Sequence, residues 1–142
     1  IDGVVVPDVP LEEATPLRRA AQTAGIAVIL LVAPTSPPAR LRAIARASQG
    51  FIYYVSVTGT TGARRVLPQR LINGVRQLRL VTTKPVCVGF GISTPAQAAA
   101  VARIADGVIV GSALIHAMTQ ARSRAGMLRA AGAFIERMRR AV

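Results

Sequence analysis

Residues 85–94 read "PVCVGFGIST" and residues 105–115 read "ADGVIVGSALI", and these two stretches decide the fold. Each begins with a short apolar run, of the length expected of a strand buried on both faces, and ends in glycine and serine. Glycines at strand ends remove side chains, so that an anion can approach the backbone N–H groups of the following turn. Two such ends in succession predict a phosphate site, and tight strand-to-helix turns are the alternative explanation.

The same alternation of apolar runs and helical segments extends through the whole chain. The apolar runs span residues 3–8, 26–34, 51–57, 85–91 and 106–112. Strands and helices joined by short links predict parallel strands with right-handed crossovers. A dinucleotide-binding open sheet carries G-x-G-x-x-G after a strand, and residues 89–94 begin that motif without its third glycine. We therefore predict the parallel (β/α)8 or TIM barrel, in which phosphates often bind after the last two strands.

Several of the predicted helices carry start or stop signals. The pair Glu12–Glu13 is predicted in the first turn of a helix, where the helix dipole favours anions, and Gly25 ends that helix. In the pair Ser36–Pro37, serine is predicted as the N-cap and proline as the first helical residue, and the pair Thr94–Pro95 repeats this arrangement.

Length and composition fit a single domain spanning residues 1–142, because 51% of the chain is hydrophobic. No stretch approaches the ~18 uninterrupted apolar residues of a membrane span, and the start lacks signal-peptide features, so we expect a cytoplasmic protein without a membrane partner. Cys87 is the single cysteine and lies in an apolar run. We predict a small buried side chain there, with no internal disulfide and no metal pair.

The formal net charge of +12 raises the possibility of nucleic-acid binding. Clustered arginines bind nucleic-acid phosphates, but the arginines of this chain are spread through helical segments, with no aromatic residues between them to stack on bases. We interpret most of them as solvated helix faces and expect no nucleic-acid partner.

Five segments together resemble a known family. They are "VPDVPLEEA" (6–14), "LVAPTSP" (31–37), "FIYYVSVTGTTGAR" (51–64), "PVCVGFGIST" (85–94) and "ADGVIVGSALI" (105–115). In order and spacing they resemble successive strand ends of the tryptophan synthase alpha subunit, and the resemblance covers essentially the whole chain. The Thr/Gly loop of the third segment is its most specific part, because other phosphate-binding barrels share the late glycines but not this loop.

The resemblance implies a lyase of tryptophan biosynthesis. The family cleaves indole-3-glycerol phosphate to indole and glyceraldehyde 3-phosphate by a retro-aldol reaction, without a metal or an organic cofactor. Its partner in an α2β2 heterotetramer is the beta subunit, which receives indole and holds pyridoxal phosphate. Asp8, Val9 and Pro10 match a segment close to that interface.

The resemblance also implies roles for individual residues. Tyr53 matches a tyrosine on the floor of the substrate site, and Phe90 matches the phenylalanine that packs against the substrate. Thr61 matches a threonine that latches a lid loop when it closes. This chain has Val57 where the family often has arginine, which puts in doubt any salt bridge of the closed loop. The family's phosphate-binding main-chain positions match Gly62, Gly91, Gly111 and Ser112.

The family's catalytic glutamate and aspartate have no match in residues 1–142. The chain resembles the barrel from about its fourth strand to its eighth, a partial domain lacking the N-terminal strands. Five strands cannot satisfy the geometry of a closed barrel, so we expect this chain alone to be inactive and to associate. Of the acids present, Asp8 is at the ligand end of a strand, where an interface or anchoring role is favoured. For His116 we expect packing or surface exposure.

Two other functions remain open from the sequence. The chain can be a non-catalytic phosphate-binding module that pairs with the beta subunit and regulates it. Basic-surface binding of nucleic acid is the less favoured alternative, for the reasons given by the distribution of arginine.

Overall fold

The computed structural model describes residues 1–56, 67–89 and 91–142, and in these ranges strands alternate with helices. The elements, in chain order, are β1 (Gly3–Val5), α1 (Ala14–Thr23), β2 (Ala27–Ile29), β3 (Leu31–Val32), α2 (Pro38–Ala47), β4 (Ile52–Val55), α3 (Gln69–Arg79), β5 (Val86–Gly89), α4 (Pro95–Ala102), β6 (Gly107–Ile109), α5 (Ser112–Thr119) and α6 (Arg124–Arg139). Every apolar run predicted as a strand contains one or two of these strands.

The strands lie side by side in chain order, and all of their pairings are parallel. β1 pairs with β2, and β3 to β6 form a second series in which each strand pairs with the next. β2 and β3 belong to one predicted apolar run and are separated only by Leu30. The Leu30 carbonyl still accepts the N–H of Tyr53 at 3.1 Å, but its own N–H donates to the Ser48 hydroxyl at 2.9 Å. The predicted parallel α/β fold is therefore confirmed.

The two faces of the sheet differ in burial. Side chains on one face pack under the helices and are at most 2% exposed; they include Val28, Val32, Ile52, Tyr54, Val86 and Val88. On the other face, Leu31, Tyr53, Cys87 and Gly107 are aligned by the strand register and are half-buried. The prediction of a buried Cys87 is thus wrong in degree, because its side chain is only half-buried on the face that it shares with Tyr53 and Gly107.

Two predicted helix boundaries are confirmed in atomic detail. Gly25 has a φ of 68°, and the N–H of Ile26 bonds back to the Ala21 carbonyl at 2.8 Å, as in a glycine-terminated helix end. At the start of α4, the Thr94 hydroxyl accepts the Gln97 N–H at 3.3 Å, and the Gln97 side-chain oxygen accepts the Thr94 N–H at 3.1 Å. This reciprocal capping box follows from the Thr-Pro-x-Gln sequence.

The predicted start of α2 is wrong by one residue. Pro38, not Pro37, is the first helical residue, and Pro37 occupies the N-cap position with an extended ψ of 159°. A residue that precedes proline is pushed out of the helical region by the proline ring, so Pro37 cannot join the helix. Ser36 does not cap α2, and its hydroxyl accepts the Ala33 N–H at 3.3 Å instead.

The predicted start of α1 also needs correction. The helix begins at Ala14, with Glu13 at the N-cap position and Glu12 before it, so its first turn contains no acidic residue. Glu12 is instead bound by Arg40, whose guanidinium nitrogens lie 2.6 and 3.0 Å from the two carboxylate oxygens. A two-point bond to a charged partner is stronger than attraction to a helix dipole, which explains where the side chain lies.

The Ser48 hydroxyl forms hydrogen bonds with the backbone at the point where β2 and β3 separate. It is 1% exposed, accepts the Leu30 N–H and donates to the Phe51 carbonyl at 2.8 Å. We expect Ser48→Ala to lower the free energy of unfolding by about 1 to 2 kcal/mol, because a buried N–H and a partly buried carbonyl lose their partner. Urea unfolding measures this loss. Ser36→Ala is the matched control, because it removes a single, longer hydrogen bond, the one from the Ala33 N–H. An equal loss of unfolding free energy in both variants would contradict the prediction.

Candidate functional site

A cleft of about 630 Å³ lies where β5 and β6 end and α5 begins. Its lining residues come from β4, the segment after β5, β6, α5 and α6. They are Tyr53, Gly91, Ile92, Ser93, Ile109, Gly111, Ser112, Ala113, His116, Ala117 and Phe134. We call this the β5–β6 cleft.

The β5–β6 cleft brings together four residues that the sequence predicted as a site. Tyr53, Gly91, Gly111 and Ser112 all line it, although they come from three separate parts of the chain. Their proximity follows from the topology, because the carboxyl ends of neighbouring parallel strands meet at one edge of a sheet. The other predicted residues of this site, Thr61, Gly62 and Phe90, lie outside the described residues, as does Val57.

The backbone around Gly91 and Ser112 suits the binding of an anion. Gly91 has a φ of 78°, a conformation that side-chain-bearing residues rarely adopt. Ser112 is the first residue of α5, and the first N–H groups of a helix have no acceptor within the helix. At Gly111, which precedes α5, a side chain would meet no described atom within 4 Å, so the backbone is open to a ligand.

Tyr53 reaches across β5 because Gly89 has no side chain. A methyl group on Gly89 would lie 2.5 Å from the tyrosine hydroxyl and 2.7 Å from ring atom Cε2, closer than real atoms approach. Burial raises the pKa of the Tyr53 hydroxyl. The hydroxyl therefore stays protonated near neutral pH and is available to donate a hydrogen bond in the cleft.

Sequence reasoning missed several residues of the β5–β6 cleft, of which His116 is the most informative. Of the two expected outcomes, packing or surface exposure, the structure shows exposure, and the exposed side chain lines the cleft. The signal was its position four residues after Ser112, on the same face of α5. Asp106 lies at the other end of β6, where its carboxylate accepts the Val86 N–H at 2.8 Å and pairs with Arg79 at 2.7 Å.

A second cleft, of about 490 Å³, contains Asp8, Val9 and Pro10. Arg40 also lines it and forms the two-point ion pair with Glu12, which ties the segment after β1 to α2. The hydrogen bond from the Arg40 guanidinium lowers the pKa of the Glu12 carboxyl. The segment predicted to face a partner is thus held in place by a charged pair at the protein surface.

Two features are absent from the ranges that the structure describes. Within residues 1–56, 67–89 and 91–142, no group of three or more His, Cys, Asp and Glu side chains is arranged to hold a metal ion. Across these same ranges, no helix combines the length and apolar character needed to cross a membrane.

The free energy of unfolding is expected to fall as the pH rises above about 9. Burial raises the pKa values of Tyr53, Tyr54 and Cys87, and Asp106 raises that of Cys87 further. A group whose pKa is higher in the folded than in the unfolded protein stabilises the fold at a pH below its unfolded-state pKa. This contribution is lost as the pH rises through its folded-state pKa. Urea unfolding between about pH 8 and 11 tests this, and Tyr54→Phe should flatten the decline. Stability that is constant to pH 11 would contradict the prediction.

Comparisons with known proteins relate the chain to one family. The model of the tryptophan synthase alpha chain family matches residues 1–142. The tryptophan synthase alpha chain of Rippkaea orientalis is 51% identical over 143 residues, covering 100% of this chain and 53% of the relative. That of Lactiplantibacillus plantarum is 48% identical over 142 residues, covering 100% and 53%. The chain spans about half the length of the curated relatives that it matches.

Solved structures give the same relation in three dimensions. The tryptophan synthase alpha chain from Legionella pneumophila subsp. pneumophila matches with a TM-score of 0.82 and 38% identity, covering 99% of this chain and 52% of that one. The tryptophan synthase a2b2 complex from Pyrococcus furiosus matches with a TM-score of 0.82 and 32% identity, covering 97% and 55%. These matches confirm the family resemblance and the fold class predicted from the sequence.

Proposed function

Because the chain belongs to the tryptophan synthase alpha chain family, we propose that it takes part in the cleavage of indole-3-glycerol phosphate to indole and glyceraldehyde 3-phosphate. The observation that supports the proposal is that Tyr53, Gly91, Gly111 and Ser112 line the same cleft, the β5–β6 cleft. These residue types, in one cleft beside a helix start, form a polar cradle with an aromatic wall. Such a cradle suits a ligand with a phosphate at one end and an aromatic ring at the other.

The phosphate is proposed to lie against Gly91, Gly111 and the first turn of α5. The backbone N–H groups at the helix start donate to its oxygens, and the Ser112 hydroxyl adds another donor. The positive end of the helix dipole stabilises the dianion further. Gly62, which lies outside the described residues, is proposed to contribute a main-chain contact from the lid loop, with Thr61 as its latch.

The remainder of the substrate is proposed to extend over Tyr53 towards Phe90. The protonated Tyr53 hydroxyl donates a hydrogen bond there, and its ring supplies an apolar surface for indole. No Asp or Glu is among the described residues that line the β5–β6 cleft. We therefore assign binding and orientation of the substrate to these residues, and proton transfer to the carboxylates that the family supplies from other strands.

We also propose that Asp8, Val9 and Pro10 contact a beta subunit, as in the α2β2 assembly named for the Pyrococcus furiosus relative. The apolar residues Leu30, Leu31 and Val55 also line their cleft, as does Arg40, which forms the ion pair with Glu12. Pyridoxal phosphate belongs to that partner in this proposal, and the chain itself uses no cofactor. A cytoplasmic location stays a prediction.

The proposal is tested with the product of the complete natural gene. Indole release from indole-3-glycerol phosphate is measured with and without the beta subunit of the same organism, and glycerol 3-phosphate binding is measured by calorimetry. Turnover that the beta subunit accelerates supports the proposal. Saturable binding without any turnover favours the non-catalytic regulatory module instead. A lack of both binding and turnover contradicts the two functions together.

A further inference from the structure

His116 lines the β5–β6 cleft together with Ser112, and the function proposed above does not use it. The two residues are four positions apart on α5, so they lie on the same face of the helix. Their Cα atoms are separated by about 6 Å along the helix axis, which is little more than one turn. An imidazole at this position is therefore close to the proposed phosphate site.

The direction of helical side chains points the imidazole of His116 towards that site. Long side chains in helices lean towards the helix N-terminus and cover the turn that precedes their own Cα. The preceding turn of α5 is the one that begins at Ser112. Within the part of the chain that the structure describes, the exposed imidazole has no hydrogen-bond or ion-pair partner. Its ring nitrogens are thus free to contact a ligand.

The charges around the cleft favour an anion near His116. The elements facing it contribute Tyr53 from β4, Ser93 after β5, Ile109 from β6 and Phe134 from α6. Tyr53 is the other titratable side chain among these described residues, and its raised pKa keeps it uncharged near neutral pH. None of the described lining residues is a carboxylate. Histidine is therefore the described lining residue that can bring a positive charge to the cleft.

We propose that His116 is a phosphate-binding residue, whose imidazole donates a hydrogen bond to the phosphate of the ligand and binds the dianion more tightly when protonated. The inference rests on the proposed function, because it takes the phosphate to lie at Gly111 and Ser112. The competing explanation is purely structural: a protonated histidine in the last turn of α5 complements the helix dipole. That role changes the stability of the helix but not the preference for an anionic ligand.

The test measures the Kd of glycerol 3-phosphate by calorimetry, with the product of the complete natural gene, near pH 6 and near pH 8.5. We expect His116→Gln to weaken binding about tenfold near pH 6 and about twofold near pH 8.5, because a protonated imidazole binds a dianion more strongly than a neutral one. The ionisation of the ligand is the same for both proteins, so it cancels in the ratio of Kd values. Arg122→Gln, which removes an exposed cation outside the cleft, should leave both Kd values unchanged.

His116→Lys provides a second test in case the His116→Gln variant does not fold. His116→Lys retains a positive charge at both pH values, so the protein's contribution to the pH dependence should disappear. If His116→Gln or His116→Lys binds with the Kd and pH dependence of the wild type, while Ser112→Asp has lost binding, the inference about His116 is wrong and the proposed function stands. If the wild type shows no saturable binding, the proposed function fails and the inference fails with it.

Discussion

Replacing Ser112 with aspartate is expected to weaken the binding of glycerol 3-phosphate at least about 100-fold, because a carboxylate then lies beside the phosphate dianion. Ser112 is exposed, begins α5 and lines the β5–β6 cleft, so the new charge is introduced at the proposed phosphate position. Aspartate in the first turn of a helix is favoured by the helix dipole. The fold should therefore be as stable as the wild type or slightly more so, which separates lost binding from lost structure.

Ser123→Asp is the matched control for this substitution. Ser123 is the N-cap of α6 and accepts the Gly126 N–H at 3.1 Å, a role that aspartate also performs well. It adds the same charge at another helix start, outside the residues that line the β5–β6 cleft. Calorimetry should give a wild-type Kd for the control. If both variants bind equally well, the phosphate does not lie at the start of α5.

The strands and part of the site were predictable because they depend on local sequence. Apolar runs of six to nine residues locate the strands, since a strand covered by helices has few polar positions. Thr94 and Gly25 have the expected geometry because a cap needs only one nearby hydroxyl, or a residue that tolerates positive φ. The meeting of Gly91 with Ser112 was predictable from the parallel topology, which brings neighbouring strand ends together.

The remaining features depend on partners that are distant in the sequence, or on neighbouring residues that compete to set where a helix begins. Glu12 is held by Arg40, 28 residues away, and no pattern near Glu12 predicts that partner. Ser36 looked like an N-cap, but the following pair of prolines moved the helix start by one residue. The spacing of His116 from Ser112 places both on one face of α5, but that this face borders a cleft depends on residues of β4, β6 and α6 that are distant in the sequence.

Gly74 in α3 is a further position that only the packing explains, and Gly74→Ala is expected to lower the free energy of unfolding by about 2 to 3 kcal/mol. A helical glycine exchanged for alanine normally gains about 1 kcal/mol, because alanine has the higher helix propensity. Here the new methyl group would overlap the Tyr54 hydroxyl and lie 2.7 Å from ring atom Cζ. Tyr54 is 2% exposed in the core, so neither residue can move away without disturbing its neighbours.

Two further variants isolate that contact. Gly132→Ala lies in α6, where a side chain would meet no described atom within 4 Å, so it should gain about 0.5 to 1 kcal/mol in urea unfolding. Tyr54→Phe removes the overlapping hydroxyl, and in the double variant with Gly74→Ala it should restore at least about 1 kcal/mol of the loss. If the effects of Gly74→Ala and Tyr54→Phe on the free energy of unfolding simply add, the Tyr54 hydroxyl is not the reason that position 74 needs glycine. A positive coupling would establish that this core tyrosine, through its hydroxyl, determines how closely α3 packs against the sheet.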